Sequence, residues 1–430
     1  MPASLRGGAS LVEESLLSDD LLRQLVAVGH VDVLVGIPTL NNANTVVEVV
    51  RAAQVGIATY FPRARSLIFN ADSGSDDGTP ALVRDATTHD TGTVTASRPL
   101  RTTQRISTPY HGLPGKGSAL RMIFAVADLL SAGAVVALDP DVTSVTPDWI
   151  PALVRPVRDG HADIVAPLYP RAAADGPLVT QLVRPLVRAA YGWRLQEPLM
   201  GEFGCSPRFA THCLERPAWG SGIPDGVDLW MTGEALANGF KPAQAALGPR
   251  LLAHTRKRPG LPDVFQQVMD AMCACLELHS AYWLARGPAE TVPCVGTLPG
   301  AMDLGPRPDA TGMALAFTRD VAALHPVLAT ILSDATLAGV TAAAAAPGPL
   351  SYPDDLWAAT VFEFLLAYHR AVMTREHVTQ TLLPLYLGRT ASFLLQYGSS
   401  SPSVVYDALE SLGQAFEQAK PQAAAQWKKA

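Results

Sequence analysis

Short apolar runs and longer amphipathic stretches alternate along the first half of the chain. Val31-Asp-Val-Leu-Val-Gly-Ile37, Ser66-Leu-Ile-Phe-Asn70 and Ala134-Val-Val-Ala-Leu138 are each too short for a helix and bounded by turn residues, which predicts buried strands. Thr93 to Ala96 is a weaker candidate that would be third in order. Pro38 is expected to close the first strand, since it has no N–H for a ladder. Between the strands the apolar spacing turns helical: 45–58 with Asn44 as cap, a helix from Pro80, 118–130, one after Trp149, and a long one over 178–191. A further strand is expected over 163–168. Residues 192–224 are rich in Gly and Pro and predict mostly loop.

From about residue 261 the pattern is helical throughout, over 262–285, 312–324, 354–372 and 375–397, with no convincing strand. The run Ala342 to Pro349 predicts a hinge of low complexity. Ahead of everything, 18–28 predicts one amphipathic helix in a polar lead-in. The expected organisation is therefore a lead-in over 1–30, an α/β domain with a mostly parallel sheet and helices on both faces over 31–260, and a helical domain over 261–430. Such an order puts the Gly- and Asp-rich loops on one rim of the sheet, beyond the carboxyl ends of the strands, where a nucleotide site belongs.

Totals narrow the function class. A net charge of −6 gives no general attraction to nucleic acid or to anionic lipid, and 48% apolar with 17% charged residues excludes global disorder. No uninterrupted apolar run of about 18 residues occurs, so no membrane span is expected. Five cysteines (205, 213, 273, 275, 294) show no metal or disulfide spacing and are expected to be reduced, mostly buried thiols of a cytoplasmic protein.

Candidate chemistry lies in the loops. Asp139-Pro-Asp141 places two carboxylates where the chain leaves a strand, hard oxygen ligands suited to Mg²⁺ or Mn²⁺ carrying phosphates. Its plainer reading is a polar turn capping the helix after Pro147. Asp72-Ser-Gly-Ser-Asp-Asp-Gly-Thr79 offers Asp72 to a base or ribose, or is a turn capped by Asp77. Gly115-Lys-Gly117 before a helix suits a phosphate through the helix N-terminus and the Lys116 charge, or simply opens the helix. His254, next to Arg256-Lys-Arg258, is either a third metal ligand or structural. Asp228 at a helix start either complements the dipole or steadies charge at an anomeric carbon.

Taken in order, these residues resemble the retaining GT-A glycosyltransferases that make glucosyl- or mannosylglycerate, the mannosylglycerate synthases and glucosyl-3-phosphoglycerate synthases. Ile37-Pro-Thr-Leu-Asn-Asn42, Asp72-Ser-Gly-Ser, Gly115-Lys-Gly, Asp139-Pro-Asp-Val-Thr-Ser with Pro147-Asp-Trp149, Glu197-Pro-Leu-Met-Gly-Glu202, Gly226-Val-Asp228 and His254 carry the resemblance over about 31–285. Asp354-Asp-Leu-Trp-Ala-Ala-Thr360 extends it less distinctly into the tail.

The resemblance implies a GT-A, Rossmann-like nucleotide-diphospho-sugar fold. It lays Pro38, Thr39, Asn42, Asp72, Lys116, Asp139, Leu199 and Arg256 along the donor, with Asp141 and His254 on a divalent ion. Asp228 and Glu202 stand as the acids near the reacting centre, and Arg171, Thr180, Met200 and Gly201 face the acceptor. Two residues before the acceptor-side threonine, the phosphoglycerate enzymes carry an arginine that meets phosphate. Leu178 stands there in this chain, which favours free glycerate or a similar small hydroxy acid.

The expected function is hexose transfer from UDP-glucose, GDP-glucose or GDP-mannose to such an acid, as in compatible-solute synthesis. The alternatives are a phosphorylated acceptor or a silent sugar-nucleotide-binding protein. The helical region is expected to cover the site or to build a homodimer.

Overall fold

The computed structural model describes residues 17–86, 103–109, 116–217, 219, 226–253, 260–298 and 308–429. It is a mixed α/β chain that divides into two compact units, neither of them a continuous segment. The first comprises Met1–Val165, Gly201–Asp225 and Arg250–Ala253; the second comprises Ala166–Met200, Gly226–Pro249 and His254–Ala430. The C-terminal helices thus cluster with two stretches from the middle of the chain, whereas the sequence pattern alone suggests a break near 260.

In the first unit, β1 (Val33–Thr39), β2 (Ser66–Asp72), β3 (Thr103–Pro109) and β4 (Val135–Ala137) form a parallel sheet in the order β3-β2-β1-β4. β6 (Phe203–Cys205) runs antiparallel to β4 on one side and to the start of β5 (Ile164–Leu168) on the other. The described residues of β1, β2 and β4 are buried throughout, which is why these runs read as continuously apolar rather than alternating. The helices are α1 (Asp19–Val28), α2 (Val46–Tyr60), α3 (Thr79–Asp85), α4 (Lys116–Leu129), α5 (Trp149–Arg158) and α7 (Pro207–Leu214). Strand order reverses between β1 and β4, so the loops leaving these two strands diverge and open a crevice.

Several boundaries depart from expectation for identifiable reasons. β1 runs through Pro38 to Thr39, because the Gly36 carbonyl accepts from Leu138 N–H and by alternation Pro38 faces the same side, past the last residue of β4 that pairs. β2 continues to Asp72. The third strand is Thr103–Pro109, a polar sequence that apolar periodicity overlooks; Thr93 to Ala96 lies outside the described residues. The α2 cap is not Asn44: the Asn42 carbonyl takes the N–H groups of Thr45 and Val46. Within 192–224, expected as loop, stand β6 and α7, the latter capped by Ser206.

The second unit contains the end of β5, β7 (Pro242–Ala246) and the two-residue β8 (Cys294–Val295), with Leu247 N–H on the Leu168 carbonyl at 3.1 Å. The remainder is helical: α6 (Arg184–Tyr191), α8 (Val227–Ala237), α9 (Leu261–Leu278), α10 (Ser280–Ala285), α11 (Ala310–Ile331), α12 (Asp334–Ala345), α13 (Asp354–His369), α14 (Arg375–Tyr397) and α15 (Pro402–Trp427). α12 and α15 escape sequence periodicity because their many Ala, Gln and Ser residues blur the apolar stripe. Phe317, Trp357, Phe364, Tyr386 and Phe416 anchor the core of this unit.

α11 is, among the described residues, long and apolar enough to cross a membrane, which the search for an uninterrupted apolar run did not flag. It carries Arg319, Asp320 and Pro326 mid-helix, and its Phe317 ring sits over Gly388 of α14. Cys205, Cys213, Cys273 and Cys275 are buried and Cys294 is exposed, all unbridged. Burial pushes the Cys275 thiol up to about 12, which leaves it inert at neutral pH.

Gly204 shows how tightly β6 is held. A Cβ there would lie 2.3 Å from the Leu153 carbonyl oxygen of α5, a backbone atom that cannot rotate away. Gly204→Ala is therefore expected to cost about 1–3 kcal/mol through overpacking. Urea unfolding measures it; a midpoint equal to wild type would show that α5 shifts freely.

Candidate active site

The crevice between β1 and β4 is organised by carboxylates. Beyond β1, Asn42 is nearly buried and its Nδ2 donates to Asp141 Oδ1 at 2.7 Å, while its own Oδ1 accepts the Leu40 N–H at 2.7 Å. The amide is thereby fixed at both ends and aims the Asp141 carboxylate. Beyond β4, Asp139 Oδ1 accepts the Asp141 N–H at 2.9 Å, an Asx turn that Pro140 helps to set. Neither aspartate caps α5, whose N-cap is Asp148, so the plainer sequence reading of this pair is not what the fold uses.

A second chain segment completes the crevice. Val142 bridges Leu252 in antiparallel fashion, Thr143 N–H donates to the Leu251 carbonyl at 2.9 Å, and Ala253 N–H donates to the Asp141 carbonyl at 2.9 Å. His254, the expected metal ligand, follows directly in sequence but lies outside the described residues, as do Arg256 and Arg258. The same segment supplies Arg250, which sequence reasoning missed. Its Nη2 donates to Asp139 Oδ2 at 2.9 Å and its Nε to both oxygens of Glu202 at 3.2 Å. Its signal in the sequence is Gly248-Pro-Arg250 at the end of an apolar run, less conspicuous than Arg256-Lys-Arg258.

Glu202, expected on the loop facing sugar and acceptor, has a side chain with no solvent exposure. Its pairing gives it the part of holding Arg250. Lys116 is the first residue of α4, and its Nζ lies 3.4 Å from the Gly201 carbonyl. Among the described residues, Lys116, Asp139, Asp141, Glu202 and Arg250 leave one surplus negative charge, which a divalent cation would convert to one positive. That balance suits an anionic diphosphate.

Asp72 is used differently. It is 1% exposed, and its carboxylate accepts from the hydroxyls of Thr39 (2.8 Å) and Ser75 (2.6 Å) and the N–H groups of Gly74 and Ser75. Asp72 and Thr39 therefore brace the turn after β2. Asp77 binds the Thr79 hydroxyl and N–H and the Ala43 N–H. Burial pushes its carboxyl up, but these donors outweigh it and hold the group below its ordinary value.

The expected acceptor residues fall in the second unit, apart from Gly201. Arg171 binds Glu197 through two parallel contacts, Nε to Oε1 and Nη2 to Oε2, the latter at 2.6 Å. Both residues line a cavity of about 470 Å³ with Arg184, Arg194, Gln244 and Glu410. Thr180 does not line it. It sits in a π-helical turn, Val179–Val183, that interrupts the expected single helix, and its buried hydroxyl has no partner among the described residues. Gln181 of that turn is held by the C-terminal helices: its carbonyl accepts from Trp357 Nε1 at 2.7 Å and its side chain from Arg389 Nε at 3.0 Å. A wider turn releases carbonyls from the helix ladder, and this one is satisfied by an indole. Asp228 lies in the first turn of α8, Met200 is buried, and Leu199 is partly buried against the core of this unit.

No family model and no curated protein sequence matches the chain. Among solved structures it is similar to glucosyl-3-phosphoglycerate synthase from Mycobacterium tuberculosis. One such structure, with Mn²⁺, UDP and phosphoglyceric acid, shows 23% identity and a TM-score of 0.44 over 61% of this chain and 83% of that one. Another, with Mn²⁺, UDP-glucose and phosphoglyceric acid, shows 23% identity and a TM-score of 0.43 over 61% and 84%. A third gives 25% identity and a TM-score of 0.42 over 60% and 85%. Similarity at this level assigns no residue and no substrate to the chain.

The pairing of Glu202 has a measurable consequence. Arg250→Ala leaves a fully buried carboxylate without its guanidinium, so a loss of about 3 kcal/mol is expected. Adding Glu202→Gln should restore more than half of it. Thermal unfolding of the single and double variants checks this; a double variant no better than the single one would mean that burial of Glu202 is compensated elsewhere.

Proposed function

We propose that this protein is a metal-dependent hexosyltransferase that moves glucose or mannose, with retention, from a nucleotide-diphosphate sugar to glycerate or a similar small hydroxy acid. The observation that carries this reading is the Asn42–Asp141 and Asp139–Arg250 constellation in the crevice where the strand order reverses. Carboxylates gathered beyond the carboxyl ends of parallel strands, with a lysine at a helix start beside them, fit a phosphate-bearing ligand better than any purely structural role.

The donor set suits Mg²⁺ or Mn²⁺. No group of three or more His, Cys, Asp or Glu side chains that could hold an ion occurs among the described residues. A cation of this kind needs only one or two carboxylates when substrate phosphates and water fill its other positions, and Asp141 meets that need. Asp141, aimed by Asn42, and His254 would hold the ion. When bound, it supplies Lewis-acid neutralisation of the leaving diphosphate.

The chain's own groups do the rest. Lys116, at the N-terminus of α4, adds a point charge to the dipole there and supports the departing nucleotide. Asp139, spanned between the Asp141 N–H and Arg250, is held in one rotamer facing ribose or donor sugar. Arg171 takes the acceptor carboxylate while Glu197 keeps its guanidinium plane fixed. Asp228 orients or balances charge at the anomeric carbon, whereas Thr180, expected on the acceptor side, is buried outside the wall of the cavity that holds Arg171.

The deciding experiment crosses UDP-glucose, GDP-glucose and GDP-mannose with glycerate, 3-phosphoglycerate and lactate in Mg²⁺ or Mn²⁺, with product mass as readout. A glycosylated hydroxy acid is expected with at least one donor. Nucleotide-dependent thermal stabilisation with no product in any combination would overturn the reading in favour of a silent binding protein. Turnover with 3-phosphoglycerate alone would overturn the acceptor assignment drawn from Leu178.

Two variant sets test the site. Asp141→Ala and His254→Ala should each abolish metal-dependent turnover in a folded protein; unchanged activity in either removes that residue from the metal site. Asn42→Ala should weaken the activating Mn²⁺ concentration dependence by about 10–100-fold, the usual effect of losing a group that orients a ligand. An unchanged Mn²⁺ titration would leave Asn42 as a turn residue only.

A further inference from the structure

The cavity holding Arg171 is formed wholly within the second unit, and its charges do not balance by accident. Arg171, Arg184 and Arg194 face it with three positive charges, against the two negative charges of Glu197 and Glu410. One positive charge is left over. Arg171 is paired with Glu197 through two contacts, and on the Arg184 and Arg194 side Glu410 of α15 is the nearest carboxylate among the described lining residues. Its Oε1 accepts from Arg184 Nη2 at 3.0 Å, and its Oε2 accepts from Arg188 Nη1 at 2.8 Å and lies 3.9 Å from Arg194 Nη1. Arg188 is not part of the wall and has a second partner, Glu417, at 2.9 Å.

We propose that Glu410 sets the anion charge this cavity accepts, selecting a monoanionic hydroxy acid over a phosphorylated one. The inference rests on the acceptor role given to Arg171 above. Size cannot make this choice. About 470 Å³ lies well inside the range of small-molecule sites and admits a phosphoglycerate as readily as a glycerate. Charge can make it. Arg184 is mostly buried and Glu410 largely so, with side chains 10% and 17% exposed, and interactions between such groups are weakly screened by water and salt. A dianionic phosphate calls for more positive charge than the single surplus that Glu410 leaves on the Arg184 and Arg194 side. The C-terminal helix is thereby part of the specificity apparatus, although it comes far after every motif in the sequence.

The test uses the full-length protein with its best nucleotide sugar and Mn²⁺. kcat/KM for D-glycerate and for 3-phosphoglycerate is measured in wild type, Glu410→Gln and Glu417→Gln. Glu410→Gln raises the surplus to two positive charges, so the ratio of the two acceptors should move at least tenfold towards 3-phosphoglycerate, and the shift should shrink as salt is added. Glu417→Gln, on the same helix but outside the cavity wall, should leave the ratio within twofold.

An unmoved ratio in Glu410→Gln, or an equal shift in Glu417→Gln, overturns the proposal. Should Glu410→Gln fail to fold, Arg194→Gln reads the same charge from the opposite side at a 43% exposed position. It takes the surplus to zero and should widen discrimination against the phosphorylated acid at least fivefold; no widening overturns the proposal. If wild type transfers sugar to neither acid, the functional reading fails on its own. Calorimetric binding of lactate and 3-phosphoglycerate to wild type and Glu410→Gln then decides the charge assignment, a tenfold gain for the phosphorylated acid supporting it and no gain refuting it.

Discussion

Arg250 is the residue on which the crevice depends. The switch in strand order gathers Asp139 and Asp141 at one point, and Glu202 arrives beside them fully buried. Carboxylates gathered at one point repel one another unless a positive group stands among them. One guanidinium, reaching Asp139 with one nitrogen and Glu202 with another, holds two of the three in place. Asn42 serves Asp141, the third, through a neutral amide. The amide sets the direction of the Asp141 carboxylate, and the guanidinium sets those of Asp139 and Glu202.

That division was only half visible in the sequence. Asp139-Pro-Asp141 announced itself through its place after an apolar run, and β1, β2 and β4 were legible because buried parallel strands are continuous apolar blocks. β3 was not, since Thr103-Gln-Arg-Ile-Ser-Thr-Pro109 has one strongly apolar residue, and its place is marked by backbone pairing with β2. Arg250, and the hold of Asn42 on Asp141, were hidden for a related reason. Their roles come from contacts between residues 111 and 99 positions apart, and no local spacing encodes which arginine or amide will close such a gap. Asp72 shows the converse case: a conspicuous acidic turn whose carboxylate is consumed by its own neighbourhood.

The second unit applies the same economy to arginines. Arg389, 4% exposed, donates to Gln181, the Tyr352 carbonyl and Asp354, which also accepts from Ser411. Burial lowers this guanidinium from its ordinary value and Asp354 works against that shift, so the group stays where its donors are needed. These contacts run from α13 and α14 onto the π-helical turn, and they tie the stretch Ala166–Met200 to the C-terminal helices. A π-helical turn is weaker than an α-helical one and survives only where its surroundings specify it. Trp357 and Arg389 do so here, which gives the tail a reason to carry Asp354-Asp-Leu-Trp357.

What a buried arginine offers a ligand depends on how much of its charge the protein has already spent. Arg171 is held by Glu197 through two parallel contacts and presents a fixed plane, good for recognising the flat shape of a carboxylate. Arg184 and Arg194 share one glutamate with Arg188 and so retain charge that a bound anion can use. A cavity built this way separates two tasks that a single arginine performs poorly together, orientation by a neutralised pair and attraction by an under-neutralised one. Because the shared glutamate stands on α15, the balance between them can be reset by one side chain without disturbing the carboxylates at the ends of β1 and β4.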